Sequence, residues 1–302
     1  MKRFCNFCTK YNILTPFPLT EKTLCTFAAF LADQSLAPQT VKAYLSAVRN
    51  MQISLGLPDP REQSSLPMLK RVQAGISRAR MLKGSPPRIR LPITAHLLSK
   101  IQDHLAATDN TEGTVLWAIA ASAFFGFFRL GELLPESAST FSLATGLAWG
   151  DVAIDNHSSP RMVQFHLKKS KCDQFGVGSD IVLGRTATQI CPVEATLQYI
   201  EKRGSQSGPF FLKAEKEVVT KPWFVAQIRE ILGILGLPQQ NYAGHSFRIG
   251  AATTAAAMGI ADSTIQTLGR WHSSAFLQYI RTPKERLAAL SATLAQPGQS
   301  ET

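Results

Sequence analysis

The run Lys83-Gly84-Ser85-Pro86-Pro87-Arg88 constrains this chain more than any other stretch. Two adjacent prolines remove backbone donors and fix φ, and the glycine before them adds conformational freedom. Neither a helix nor a strand is expected to run through such a segment. A chain of 302 residues also exceeds one ordinary domain. The expectation is therefore two units, residues 1–82 and 93–302, joined by a basic linker over 83–92.

The first unit reads as helices. Thr20 is placed to cap a helix in which Leu24, Phe27, Ala28 and Leu31 share one face. Pro38 suits a helix start, and Val41, Tyr44, Leu45 and Val48 repeat the same spacing. Leu55-Gly56-Leu57-Pro58-Asp59-Pro60 then breaks the chain, and Leu66 to Met81 forms a third helix with Leu69, Val72 and Ile76 inward.

Charge is concentrated in this half. Between Lys42 and Arg90 lie ten basic residues and only two acids, Asp59 and Glu62, which accounts for +8 of the chain's +11. A solvated helix surface usually mixes both signs, and this stretch does not. Lys42, Arg49, Lys70, Arg71, Arg78, Arg80, Lys83, Arg88 and Arg90 are therefore candidates for contact with a nucleic-acid backbone. A membrane is the weaker partner for this charge, because no apolar run approaches the roughly 20 residues needed to span a bilayer.

The start, Met1-Lys2-Arg3-Phe4-Cys5, lacks the apolar stretch of a secretory signal. Five scattered cysteines suit a reducing compartment better than a disulfide framework. Cys5 and Cys8 have metal-ligand spacing, but no second pair completes a zinc site, so no metal is expected.

The second unit opens with a helix capped by Thr94 and bearing Leu97, Leu98, Ile101 and Leu105. A longer one runs from Gly113 into Phe124-Phe125-Gly126-Phe127-Phe128, with Arg129 directly after it. Three strands are predicted at Gly150–Ile154, Met162–Lys168 and Asp180–Leu183; in the second, Val163, Phe165 and Leu167 alternate with polar residues. Helices return from Pro192 onward. The predicted fold class is mainly α (α+β), a helical bundle followed by a mostly helical domain with a small antiparallel sheet.

Four local features invite a functional reading, and each has a plain alternative. Arg129-Leu130-Gly131-Glu132 follows a buried-looking helix, yet an arginine there can reach the surface with Glu132 as partner. Lys168-Lys169-Ser170-Lys171 ends a strand, where a basic hairpin tip is ordinary. His245 and Arg248 lie one turn apart and face the same way, but His245 alone reads equally well as a helix cap. Leu268-Gly269-Arg270-Trp271-His272 precedes Tyr279, and a tyrosine in apolar company is usually core packing.

Their order carries more weight. Arginine, lysine on a hairpin, His-x-x-Arg, Trp/His and then tyrosine resembles the tyrosine recombinase (phage integrase) family over residues 91–290. More loosely, residues 36–48 resemble that family's first helices. Gly269-Arg270-Trp271 with Tyr279-Ile280-Arg281 is most similar to recombinases of DIRS-type retrotransposons. The resemblance implies the tyrosine recombinase fold, with a DNA-binding helical domain and a catalytic domain that clamp DNA between them. It implies that Arg129 and Arg248 hold the scissile phosphate and that Lys171 is general acid to the leaving 5′ oxygen. His245 would assist proton transfer, Trp271 would donate its indole N–H, and Tyr279 would attack to form a 3′-phosphotyrosyl bond. No cofactor is implied and no metal, since the arginines supply the charge stabilisation. Partners implied are double-stranded DNA and further copies of the chain, as a dimer or tetramer. The location would be nuclear for a eukaryotic element and cytoplasmic otherwise.

Two departures stand out. Trp271 precedes Tyr279 by eight residues where the family's pattern has nine, so Arg270, Trp271 and His272 compete for one role. Lys168 and Lys169 likewise compete with Lys171. The rival readings are a topoisomerase of the same chemistry and a DNA-binding protein without catalysis, in which Asp262 to Leu268 after Gly259 forms a helix-turn-helix. A domesticated, inactive recombinase is a version of the second.

Overall fold

The structure is a computed structural model that describes all residues except 85–89, 109, 170–176, 283–286, 289–290 and 293–302, together with the side chains of Gln63 and Ala275. The chain divides into two compact units, Met1–Arg88 and Ile89–Thr302. The prolines of the predicted linker, Lys171 and most of the C-terminal tail lie outside the described residues.

The first unit consists of helices α1 (Lys2–Lys10), α2 (Glu21–Asp33), α3 (Pro38–Ser54), α4 (Pro60–Gln63) and α5 (Pro67–Leu82). Thr20 caps α2 by accepting from the Thr23 backbone N–H at 3.1 Å, and Pro38 and Pro67 stand in the first turns of α3 and α5. Each proline there costs no hydrogen bond, because the first helical N–H groups have no partner in any case. Helix α1 has no counterpart in the sequence reading. Its nine residues bury only Phe4 and Phe7, too few for a visible period. Both rings meet Phe27 of α2 at 5.0 Å, so α1 is held by aromatic packing rather than by its own propensity.

The second unit contains α6 (Ala95–Thr108), α7 (Thr111–Phe125), α8 (Leu130–Leu133), strands β1 (Val152–Ile154), β2 (Met162–Leu167) and β3 (Ser179–Gly184), then α9 (Pro192–Arg203), α10 (Lys221–Ile234), α11 (His245–Ala257) and α12 (Asp262–Leu268). A 3₁₀ turn over Ser274–Tyr279 follows. Every residue of α7 from Val115 to Phe124 is buried, as expected of a helix that is apolar all round and enclosed by α6, α9 and α11. The sheet is antiparallel in the order β1-β2-β3. Val163, Phe165 and Leu167 of β2 face the core, with Phe165 opposite Val152 and Ile181. β1 starts two residues later than predicted, because Trp149–Asp151 form a 3₁₀ turn in which the Asp151 carboxylate accepts from the Ala148 N–H. The molecule is thus mainly helical with one small antiparallel sheet. Among the described residues no helix is long and apolar enough to cross a membrane.

Helix α7 also ends earlier than its apolar run suggested. Gly126 closes it, and Phe127 takes φ 50°, turning Phe128 back over the glycine. A Cβ on Gly126 would come within 2.2 Å of the Phe128 ring, so glycine is needed there. Arg129 therefore caps a new short helix instead of extending the old one.

Candidate active site

The Arg129-Leu130-Gly131-Glu132 motif fixes its own arginine. Glu132 sits at the third position of α8, where one carboxylate oxygen accepts from the Arg129 backbone N–H at 2.9 Å. The other oxygen accepts from Arg129 Nη1 at 2.9 Å. That carboxylate is almost fully buried, so the pair is poorly screened and held in one geometry.

Helix α11 presents two more predicted residues. His245 is its first residue and is exposed; Arg248, one turn on, is 0% exposed. Gly250 lets the backbone at Ile93 lie against α11, since a Cβ there would come within 1.7 Å of the Ile93 carbonyl oxygen. The Ile93 N–H in turn donates to the Ser246 carbonyl at 2.9 Å.

Arg248 donates to the carbonyls of Phe127 and Gly269 and lies with its guanidinium 4.2 Å from the Trp271 ring centroid. Its Nε is buried without a hydrogen-bond partner, and among the described residues it has no carboxylate partner. Burial, and then the charge of Arg129, push its pKa down to about 10, so it is still a cation at neutral pH. A buried cation without a counter-ion is costly unless an anion joins it.

Trp271 stands on Gly269, which again must be glycine: a Cβ would come within 1.6 Å of the indole. The ring packs on Phe276 at 5.9 Å and on Tyr279 at 5.3 Å. Tyr279, half-buried, stacks in turn with His245 at 6.3 Å and 21°. Arg248, Trp271, Tyr279 and His245 thus form one chain of contacts. His272 does not join it: it is exposed, and among the described residues no hydrogen bond or ring contact ties it to the others. Arg270, half-buried, donates to the second Glu132 oxygen at 3.0 Å.

Beside this cluster a cleft of about 440 Å³ is lined by Arg129, Lys169, Lys221, Gly244 and His245 among others. Arg248, Trp271 and Tyr279 are not on its walls. Of the hairpin lysines, Lys168 is engaged elsewhere, donating to Asp151 at 2.6 Å and to the Leu143 carbonyl at 2.8 Å. Lys169 reaches the cleft, and Lys171 lies outside the described residues. Lys221 was missed by the sequence reading. It begins α10 and pairs with Glu136, and no local pattern linked it to α8 or α11.

The other tyrosines have structural places. Tyr199 is buried, donates to the Phe210 carbonyl at 2.8 Å and accepts from the Leu212 N–H at 2.7 Å; burial pushes its pKa up to about 12. Tyr242 is buried and Tyr44 packs on the core of the first unit.

In the basic region, Lys42, Lys70, Arg71, Arg78 and Lys83 are exposed, and Arg80 is half-buried and donates to the Ser35 carbonyl. Arg49 is a correction. It is buried and forks onto Asp59, because residue 49 falls on the inward side of α3 next to Val48. It is a structural ion pair and not a surface cation. Arg90 belongs to the second unit, where it donates to the Gln240 carbonyl at 3.1 Å, and Arg88 lies outside the described residues. No group of three or more His, Cys, Asp or Glu that could hold a metal ion is found among the described residues.

No family model matches the chain. A relative, the integrase/recombinase xerD homolog of Selenomonas ruminantium, is 27% identical over 277 residues, covering 89% of this chain and 75% of the relative. Among solved structures, XerH site-specific recombinase bound to palindromic difH substrate in a post-cleavage complex matches with a TM-score of 0.60 at 12% identity, over 97% of this chain and 77% of that one. The Tn1549 transposon integrase in complex with transposon right end DNA matches with a TM-score of 0.57 at 12% identity, over 97% and 92%. The fold is that of the tyrosine recombinases. In sequence the chain is similar to the xerD homolog, and in fold to these recombinase structures.

Proposed function

We propose that this protein is a site-specific DNA recombinase or integrase that cleaves and rejoins strands through a 3′-phosphotyrosyl intermediate on Tyr279. The observation that carries the reading is the contact chain Arg248–Trp271–Tyr279–His245 beside a cleft holding Arg129. A phosphodiester in that cleft would meet Arg129, with His245 and Lys169 in reach for proton transfer. Arg248 is the second phosphate ligand in this reading. It is closed under Trp271, so DNA binding has to draw the indole or the Phe127 carbonyl aside; such contacts commonly tighten only in the bound complex. Trp271, and not His272, then supplies the indole N–H to the phosphate, because Trp271 is the one in contact with Arg248 and Tyr279. Lys171 and Lys169 share the candidacy for general acid.

The first unit is the DNA-binding domain in this reading, with α3 and α5 laying Lys42, Lys70, Arg71 and Arg78 along phosphates. Within the family we place the chain in the DIRS-type retrotransposon group, on Gly269-Arg270-Trp271 and Tyr279-Ile280-Arg281. A nuclear location goes with a eukaryotic element and a cytoplasmic one otherwise. Strand exchange needs several copies on DNA, hence a dimer or tetramer.

The test is covalent trapping. Nicked duplexes taken from the DNA flanking its gene are incubated with the full chain, denatured, and examined for a DNA–protein adduct, with Tyr279→Phe as control. An adduct lost only in the variant supports the reading. Tight, salt-sensitive binding with no adduct from either protein favours a second reading, a domesticated DNA-binding protein that has lost catalysis. The burial of Arg248 away from the cleft is what keeps that reading open.

A further inference from the structure

Arg270 stands nine residues before Tyr279, and nothing in the proposed chemistry employs it. Its Nη2 donates to Glu132 Oε2 at 3.0 Å, the same oxygen that accepts from the Arg129 backbone N–H at 2.9 Å. The other oxygen, Oε1, holds Arg129 Nη1 at 2.9 Å. One buried carboxylate therefore ties two arginines together. Arg270 Nη1 also donates to the Gly126 carbonyl at 3.0 Å, and Nη2 approaches the Phe127 carbonyl at 3.5 Å. That second carbonyl is the one Arg248 holds. The Arg270 guanidinium lies 5.3 Å from the Phe128 ring centroid, so it braces the whole turn from which Arg129 emerges.

The backbone supports the same conclusion. Arg270 takes φ 54° and Phe127 takes φ 50°, left-handed conformations that side-chain-bearing residues adopt only when the surroundings impose them. The two strained residues face each other through these hydrogen bonds. With three arginines and one glutamate, the group keeps an excess of positive charge beside the cleft, as an anion site requires.

We propose that Arg270 is a positioning residue: it holds the Glu132 carboxylate, and through it aims the Arg129 guanidinium at a phosphate in the cleft. This rests on the reading of the cleft as a phosphate site. Arg270 acts through Glu132 and does not itself touch the substrate. A lysine offers one point charge instead of a planar fork and holds Glu132 without also holding the two carbonyls.

The experiment compares the full chain with Arg270→Ala and Arg270→Lys. Adduct formation is followed on a nicked duplex and on the same duplex with a methylphosphonate at the cleaved position, whose phosphorus group carries no charge. Urea unfolding and calorimetric titration with inorganic phosphate are run alongside. The expected result on the ordinary duplex is a loss of about 100-fold in adduct rate for Arg270→Ala, the scale of a misplaced group, with Arg270→Lys between. On the methylphosphonate the deficit should shrink to about tenfold or less, since an uncharged centre has less need of a well-aimed cation. Should Arg270→Ala fail to fold, Arg270→Lys carries the comparison. Rates within about twofold of the parent overturn the proposal, and so does an equal deficit on both substrates, which would make Arg270 merely structural. If the parent forms no adduct, the recombinase reading fails and the phosphate titration decides the inference separately. Phosphate binding weakened about tenfold in Arg270→Ala then supports it, and equal or absent binding in both proteins overturns it.

Discussion

The guanidinium of Arg248 lies against the indole of Trp271, 4.2 Å from its centroid, with Gly269 in contact with both. A desolvated cation on an indole face gains about 2 kcal/mol from the ring quadrupole. The arginine is fully buried and does not line the cleft. One residue pair thus holds a buried positive charge without a carboxylate partner among the described residues.

Arg248→Lys removes the fork that holds two carbonyls on separate segments, Phe127 and Gly269. A lysine lacks the planar fork whose two separate nitrogens reach the two carbonyls, and a buried carbonyl left unsatisfied costs about 1–3 kcal/mol. The expected outcome is a lower urea midpoint with unchanged slope, together with loss of the covalent DNA adduct. Denaturation curves and the trapping assay check both parts.

Three glycines sort by their surroundings. Gly269→Ala would drive a methyl into the Trp271 ring and Gly250→Ala into the Ile93 carbonyl, so both should destabilise by about 1–3 kcal/mol. Gly75, inside α5, has nothing within 4 Å of where an added methyl would lie, and Gly75→Ala should stabilise by about 0.5–1 kcal/mol. Thermal unfolding of the three variants tests this order.

Asp59 accepts a fork from Arg49, and the Arg61 backbone N–H adds to the effect, holding its carboxyl down to about 2 from 3.8. A depressed carboxylate contributes stability that is fully present above the unfolded value and is lost as pH falls through the folded one. The first unit should therefore weaken between about pH 4 and pH 2. Asp59→Asn should be less stable at neutral pH and show a flatter dependence across that window. Urea midpoints measured against pH in both proteins give the comparison.

If α3 and α5 contact phosphates, affinity for DNA falls steeply with salt. Replacing Lys70, Arg71 or Arg78 singly by alanine should lower the slope of log affinity against log salt by about one unit each. Arg49→Ala should instead reduce stability, since Arg49 is committed to Asp59. Binding isotherms at several salt concentrations, set beside unfolding curves, separate the two outcomes.

Much of the helical framework was legible because its signals are local. Thr20, Pro38 and the Leu24–Leu31 spacing mark α2 and α3, and the alternation of Val163, Phe165 and Leu167 marks β2. Helix α1 was not legible, since two phenylalanines in nine residues make no period. The end of α7 was not legible either. Phe127 and Phe128 continue the apolar pattern, and only the fold of Phe128 over Gly126 shows that the helix has stopped.

The site divides the same way. By itself the sequence determined which residue types were present and in what order: Arg129, the hairpin lysines, His245, Arg248, Trp271 and Tyr279. Order along a chain survives without knowledge of packing. Only the tertiary structure decided that Trp271 and not His272 meets Tyr279, that Arg270 turns inward to Glu132, and that Arg49 is buried on Asp59. Those outcomes depend on which neighbours remove water from each side chain, and the neighbours can come from segments more than a hundred residues apart, as Arg270 and Glu132 do.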